Sequence, residues 1–172
     1  MKNRFIHPSA VIEPGAKLAN DVTIGPFSYI GAEVILHSGV EIKSHVVVTG
    51  KTEIEQETVV YSFAVIGEIP QDLKFAGEKT SLKIGKRNQI RENVTINVGT
   101  AGGGGVTSIG NNCLFMTGSH VAHDAKIGDN VIIANCGAVA GHCVIEDDVI
   151  IGGLSGIHQF VRIGRGAIIG AV

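Results

Sequence analysis

Apolar positions in this chain recur with a period of six. One stands at Ile6, Ile12, Leu18, Ile24, Ile30, Leu36, Ile42, Val48, Ile54, Val60 and Ile66 without a break, and again at Ile84, Ile90 and Ile96. After a slip of one residue the pattern resumes at Ile109 and runs through Phe115, Val121, Ile127, Ile133, Val139, Ile145, Ile151, Ile157 and Ile163 to Ile169. Six is neither the 3.6 of a helix nor the 2 of a simple strand, so the pattern predicts short strands, one per hexad, separated by sharp turns. Three such strands close a triangular coil. Residues 18 apart then stack inside the prism as ladders, and small residues beside them let the backbone turn the corners. The hexads suffice for about eight coils, a rod about 40 Å tall at the parallel-strand spacing. Burying one Ile or Val is worth about 1.5 to 3 kcal/mol, so the ladders dominate the favourable side of stability.

Two segments break the pattern. GEIPQDLKFAGEKTS, between Ile66 and Ile84, keeps the phase but holds no hexads, and NVGTAGGGGVTS, between Ile96 and Ile109, shifts the register. Both are expected to leave the prism as loops, at about 68–80 and 97–108, within a single domain over 1–172. The four glycines Gly102 to Gly105 lack the Lys and the following helix start that a phosphate-cradling loop needs.

Composition agrees with an all-β fold and narrows the function. The 172 residues are 44% hydrophobic and 17% charged, which excludes a disordered chain, and 24 glycines with 5% aromatics are unlike a helical globule. A net charge of −2 argues against a nucleic-acid binder. Cys113, Cys136 and Cys143 are odd in number and form no CxxC, so a reducing compartment fits best. The start, MKNRFIHPSA, has no apolar signal core, and no stretch of about 18 apolar residues could cross a bilayer, which makes a cytoplasmic protein the expectation.

Seven histidines occur. His7, His37 and His45 have no evident companions and are expected to be solvated turn residues. The other four cluster: because Val121, Val139 and Ile157 are 18 apart, His120, His123, His142 and His158 fall on one side of three successive coils. His123, Gly141 and Gln159 make one column there, and Asp124, His142 and Phe160 the next, so His123 and His142 should be neighbours. A neutral imidazole beside a carboxylate suits a general base near pH 7. Gly141 permits close approach to an N–H that can stabilise an oxyanion. These parts suit acyl transfer to a hydroxyl by direct attack, because Cys143 follows His142 and neighbouring side chains in a strand point apart.

The pattern [LIV]-[GAED]-x-x-[STAV]-x resembles the hexapeptide-repeat family, and the resemblance, not the periodicity, implies a left-handed parallel β-helix and a homotrimer. Right-handed crossovers are the general rule for parallel strands. KSHVVVTGKTEI (43–54), IGEIPQDLKFAGE (66–78), HVAHD (120–124) and IIGGLSGIHQF (150–160) narrow the likeness to acyltransferases that move an (R)-3-hydroxyacyl group from acyl carrier protein to the 3-hydroxyl of UDP-N-acetylglucosamine, the first step of lipid A synthesis. The resemblance implies His123 as general base, Asp124 as its support and the Gly141 amide as oxyanion donor. It implies Gln71, Asp72, Lys74, His120, His142, His158 and Gln159 as contacts to sugar nucleotide or acyl donor in clefts between subunits, the first loop reaching across the boundary. No cofactor or metal is implied. The family often has His-Arg where this chain has Asn97 and Val98. Ala171 stands where the family, commonly with Gly, limits acyl length, so a slightly shorter acyl chain is expected. The family continues past Val172 into a carboxy-terminal helical region with basic contacts, so the chain is expected to be a fragment. Lys126, Arg162 and Arg165 are candidate attractors for an acidic carrier protein.

Other readings fit less well. The γ-class carbonic anhydrases share the fold and bind zinc, but pair histidines five apart, a spacing this chain lacks. A later acyltransferase of the same pathway is expected to carry an extra domain before its hexads. A scaffold or ice-binding solenoid favours arrays of one residue type, not an irregular His and Asp cluster.

Overall fold

The computed structural model describes residues 4–172; the reading of the amino terminus draws in part on residues 1–3, outside that range. Among the described residues there are 25 strands, and each holds one residue of the six-residue pattern. Most are only two residues long, from Phe5–Ile6 to Ile168–Ile169. They form three parallel sheets of nine, eight and eight strands, each strand pairing with those one coil above and below. The ladder residues stack in register: Ile24 on Ile42, Ile30 on Val48, Val121 on Val139.

That register counts the insertions. The usual offset of 18 becomes 30 where Val60 pairs with Ile90, and 25 where Ile90 pairs with Phe115. Twelve inserted residues preserve the phase of six and seven shift it by one, as the sequence pattern shows. The loops are shorter than expected. Glu68 still belongs to Val65–Glu68, Asn97 to Thr95–Asn97, and Val106 to Ser108 to Val106–Ile109, because these strands extend their ladders past the hexad. The loops proper are 69–80 and 98–105.

The core has two columns per face. Ladder residues such as Ile30, Ile66, Ile96 and Ile133 are fully buried, and so are residues two positions earlier, among them Val22, Val46, Ala64, Val94 and Val131. Three positions after a ladder residue the backbone turns with positive φ, carried by side chains as large as Phe27, His45, Phe63, Asp124, His142 and Phe160. Such residues rarely adopt this conformation. Here the closed coil imposes it at most corners, and residues at one corner therefore stack.

Candidate active site

His123 and Asp124 lie where the chain leaves the strand His120–Val121 and turns a corner. The register of Val121, Val139 and Ile157 places Asp124, His142 and Phe160 at the same corner, with φ of 59°, 62° and 64°. The His142 N–H donates to the His123 carbonyl at 3.1 Å, and the Phe160 N–H to that of Gly141 at 3.2 Å. Imidazoles of His123 and His142 meet edge to face with centroids 5.0 Å apart, and His142 stacks on Phe160 at 4.5 Å. The expected pairing of the two histidines is thus observed.

Both members of the dyad are buried, His123 to 6% and Asp124 to 3% exposure. Nδ1 of His123 is 2.8 Å from Oδ2 of Asp124. Burial pushes the Asp124 carboxyl upward, but hydrogen bonds from Thr100 and His123, with His142 nearby, outweigh it and hold the group below the usual range. An ionised carboxylate only accepts, so Nδ1 of His123 donates to it, and in the neutral ring the lone pair is then on Nε2. Gly141 packs flat against the imidazole: a Cβ there would lie 2.5 Å from Cε1 and 2.7 Å from Nε2. Among the described residues the Gly141 N–H donates to no acceptor.

The glycine-rich segment proves to be part of the site. Thr100 donates its N–H to Oδ1 of Asp124 at 2.9 Å and its hydroxyl to Oδ2 at 2.6 Å. The 3-10 turn Ala101–Gly103 then passes over the carboxylate so closely that a Cβ on Gly103 would sit 2.0 Å from Cγ. Sequence reasoning missed Thr100, Gly99 and Gly103. The available signal was their place between two hexad runs 25 residues apart in register, level with the coil that bears Asp124.

Two cavities flank the dyad. One, of about 510 Å³, is lined by Gln71, Asn97, His120, His123, Gly141, His158 and Gln159 over small residues including Ala122, Ala138 and Ala140. The other, of about 330 Å³, lies between Asp72, Lys74, Thr100, His142 and Phe160. The first loop therefore serves both, Gln71 facing one and Asp72 and Lys74 the other. His120 is hydrogen-bonded through Nδ1 to the Thr95 hydroxyl at 2.7 Å, and burial shifts its pKa down, favouring the neutral ring. Asn97 donates to the Glu68 and Ile69 carbonyls at 3.3 and 3.2 Å, which ties the strand to the first loop, while Val98 is buried in the core. Cys143 points inward, its thiol donating to the His158 carbonyl at 3.0 Å. Ala171 is exposed and lines neither cavity of this chain.

Some expectations are corrected. His37 is paired with Glu53 at 2.8 Å and approaches Glu55 at 3.7 Å. His45 is the exposed turn residue expected but does have companions, its ring lying between those of Phe27 and Phe63 with each centroid 5.1 Å away, and His7 is bonded to Ser9. Each partner sits on the same column or two positions from it, which the period determines but residue type alone does not announce. Arg162 and Arg165 are engaged with Glu146 and Asp147, leaving Lys126 without an ion pair among the described residues. Donor atoms of His123, Asp124 and His142 lie within 4.8 Å of one another, as do those of His37, Glu53 and Glu55. A metal at the first set would have to displace the Thr100 and His123 hydrogen bonds from Oδ2.

The triangular prism of six-residue coils, with a His-Asp dyad on one corner, defines a hexapeptide-repeat protein of the left-handed β-helix type. The family model described as bacterial transferase hexapeptide (six repeats) matches residues 15–50 and 107–141. An acyl-[acyl-carrier-protein]–UDP-N-acetylglucosamine O-acyltransferase of Rhizobium johnstonii is 50% identical over 167 residues, 97% of this chain and 61% of that protein. The structure of LpxA from Acinetobacter baumannii is 47% identical with a TM-score of 0.96, over 97% of this chain and 65% of the other. The Francisella novicida UDP-N-acetylglucosamine acyltransferase is 36% identical with a TM-score of 0.91, over 98% of this chain and 67% of the other. The chain belongs to the UDP-N-acetylglucosamine O-acyltransferase family. It spans less than two thirds of the length of the Rhizobium relative.

Proposed function

We propose that this chain carries the catalytic coils of an enzyme that transfers a 3-hydroxyacyl group from acyl carrier protein to the 3-hydroxyl of UDP-N-acetylglucosamine, the first step of lipid A synthesis. The observation that carries the reading is the buried His123–Asp124 pair, with Gly141 against the imidazole at the wall of a cavity that can hold both reacting groups. Nε2 of His123 takes the proton from the sugar hydroxyl as its oxygen attacks the thioester carbonyl. The Gly141 N–H stabilises the resulting oxyanion, and the imidazolium returns the proton to the departing thiolate. Asp124 keeps Nδ1 protonated and stabilises the cation that forms.

Gln71, Asp72, Lys74, His120, His142, His158 and Gln159 are assigned to substrate binding in the two cavities, and Ala171 to limiting the acyl chain. Assembly as a homotrimer would complete the open side of each cavity. Three free cysteines support a cytoplasmic location, and no helix among the described residues is long and apolar enough to cross a membrane. The test is His123→Ala in the full-length chain, assayed with 3-hydroxyacyl carrier protein and UDP-N-acetylglucosamine. Loss of a general base predicts a fall of about 10²- to 10⁴-fold in kcat with the fold intact; wild-type turnover would remove the assignment.

A further inference from the structure

The glycine-rich loop 98–105 is shaped around one carboxylate. Both oxygens of Asp124 are held by the same residue, Oδ1 by the Thr100 N–H and Oδ2 by its hydroxyl. Oδ2 is the oxygen that also meets Nδ1 of His123. The loop is wound tightly to make this possible: N–H groups of Gly103 and Gly105 donate to the Thr100 carbonyl at 3.1 and 2.8 Å, so the peptide on either side of Thr100 is fixed. Gly103 leaves room for the carboxylate, since a Cβ there would lie 2.2 Å from Oδ2, whereas a Cβ on Gly99 would meet the backbone of Val106 and Gly105 at 2.4 and 2.6 Å and then Oδ1 at 2.8 Å. On the other side the Asp124 N–H donates to the Thr107 hydroxyl at 2.8 Å.

We propose that Thr100 is a positioning residue for proton transfer: by gripping both oxygens of Asp124 it fixes the plane of the carboxylate, and through it the tautomer and angle of His123. The inference rests on the reading of His123 as general base. The loop is joined to the substrate-facing first loop, because Glu78 accepts from the Ala101 N–H at 3.2 Å, and Ser81 exchanges hydrogen bonds with Gly99 and Gly105. Thr100 thus lies where the wall of the second cavity touches the dyad, as His142 also does.

Thr100→Val removes the hydroxyl while keeping shape and backbone N–H; Thr100→Ser restores the hydroxyl. Losing one hydrogen bond to a charged group predicts a fall in kcat of roughly ten- to a hundredfold, with KM for both substrates within about twofold. The acidic limb of the pH–rate profile is expected to move to higher pH. Without the hydroxyl, Oδ2 offers more of its charge to His123 and the imidazolium is stabilised. The other titratable groups facing the dyad are His142, 3.8 Å from Oδ2, and His120, with Asp72, Lys74 and Glu78 across the second cavity, and the substitution leaves all of them in place.

Recovery of both kcat and the limb in Thr100→Ser supports the proposal. A rise in KM alone, an unmoved limb, or a Ser variant as impaired as Val overturns it. So does collapse of the fold in both Thr100→Val and Thr100→Ala, which would assign Thr100 to structure only. His123→Ala run beside them separates the two levels: if it stays active the base assignment fails, whereas an inactive His123→Ala with an unimpaired Thr100→Val refutes only the role of Thr100.

Discussion

A single methyl group at Gly141 should disable this site without removing a polar atom. The Cβ of Gly141→Ala would fall 2.5 Å from Cε1 and 2.7 Å from Nε2 of His123, where ordinary contacts begin near about 3.5 Å. The imidazole must yield by about 1 Å, yet it is tied to Asp124 at 2.8 Å and walled in by His142. The backbone of Gly141 is not in the left-handed region, so alanine meets no conformational strain there and the contact with His123 is isolated. Misplacing a catalytic group by about 1 Å costs on the order of 10²-fold in rate, and overpacking costs about 1 to 3 kcal/mol of stability. Steady-state kinetics should show the loss in kcat. Thermal melting should show a drop of about 2 to 4 °C per kcal/mol for a chain of this size. In a His123→Ala background the added methyl enters the space left by the ring, so its stability cost should vanish. An equal melting penalty in both backgrounds, or turnover of Gly141→Ala within twofold of wild type, would refute the argument.

Other expectations are as specific. Replacing Phe115, fully buried in its ladder, by Ala should cost about 3 to 5 kcal/mol in a denaturant titration. Because burial lowers the His120 pKa below its ordinary 6.5, the unfolded chain binds the proton more readily. Stability should therefore fall as pH drops below about 6.5, and His120→Gln should flatten that dependence in melts between pH 5 and 8. Cys113 is buried with its thiol pushed up to about 11, and Cys143 is buried and shifted the same way, whereas Cys136 is exposed. A thiol-reactive chromophore should label Cys136 alone in the native protein and all three cysteines after unfolding. For Ala171, donors of graded acyl length assayed against Ala171→Gly should show a longer optimum in the variant, and identical preferences would end that assignment.

The amino-acid sequence by itself determined the coil, the strand in every hexad and the stacking of His123 beside His142. A strict period converts sequence distance into position, and the hydrophobic ladder enforces one register. It also showed that one excursion preserves the phase of six and the other shifts it by one, whereas their lengths, twelve inserted residues and seven, come from the offsets of 30 and 25 between paired strands. What it could not disclose is where the excursions go, since a segment without periodicity has no register to extrapolate. Only the tertiary structure decided that Thr100 grips Asp124, that Gly103 makes room for that carboxylate, and that Gln71 and Lys74 of one loop face different cavities. The partners of His37 and His45 belong to the same category. Their columns follow from the winding, but whether a side chain at a corner meets solvent, an acid or an aromatic ring depends on rotamers that neighbouring coils select together.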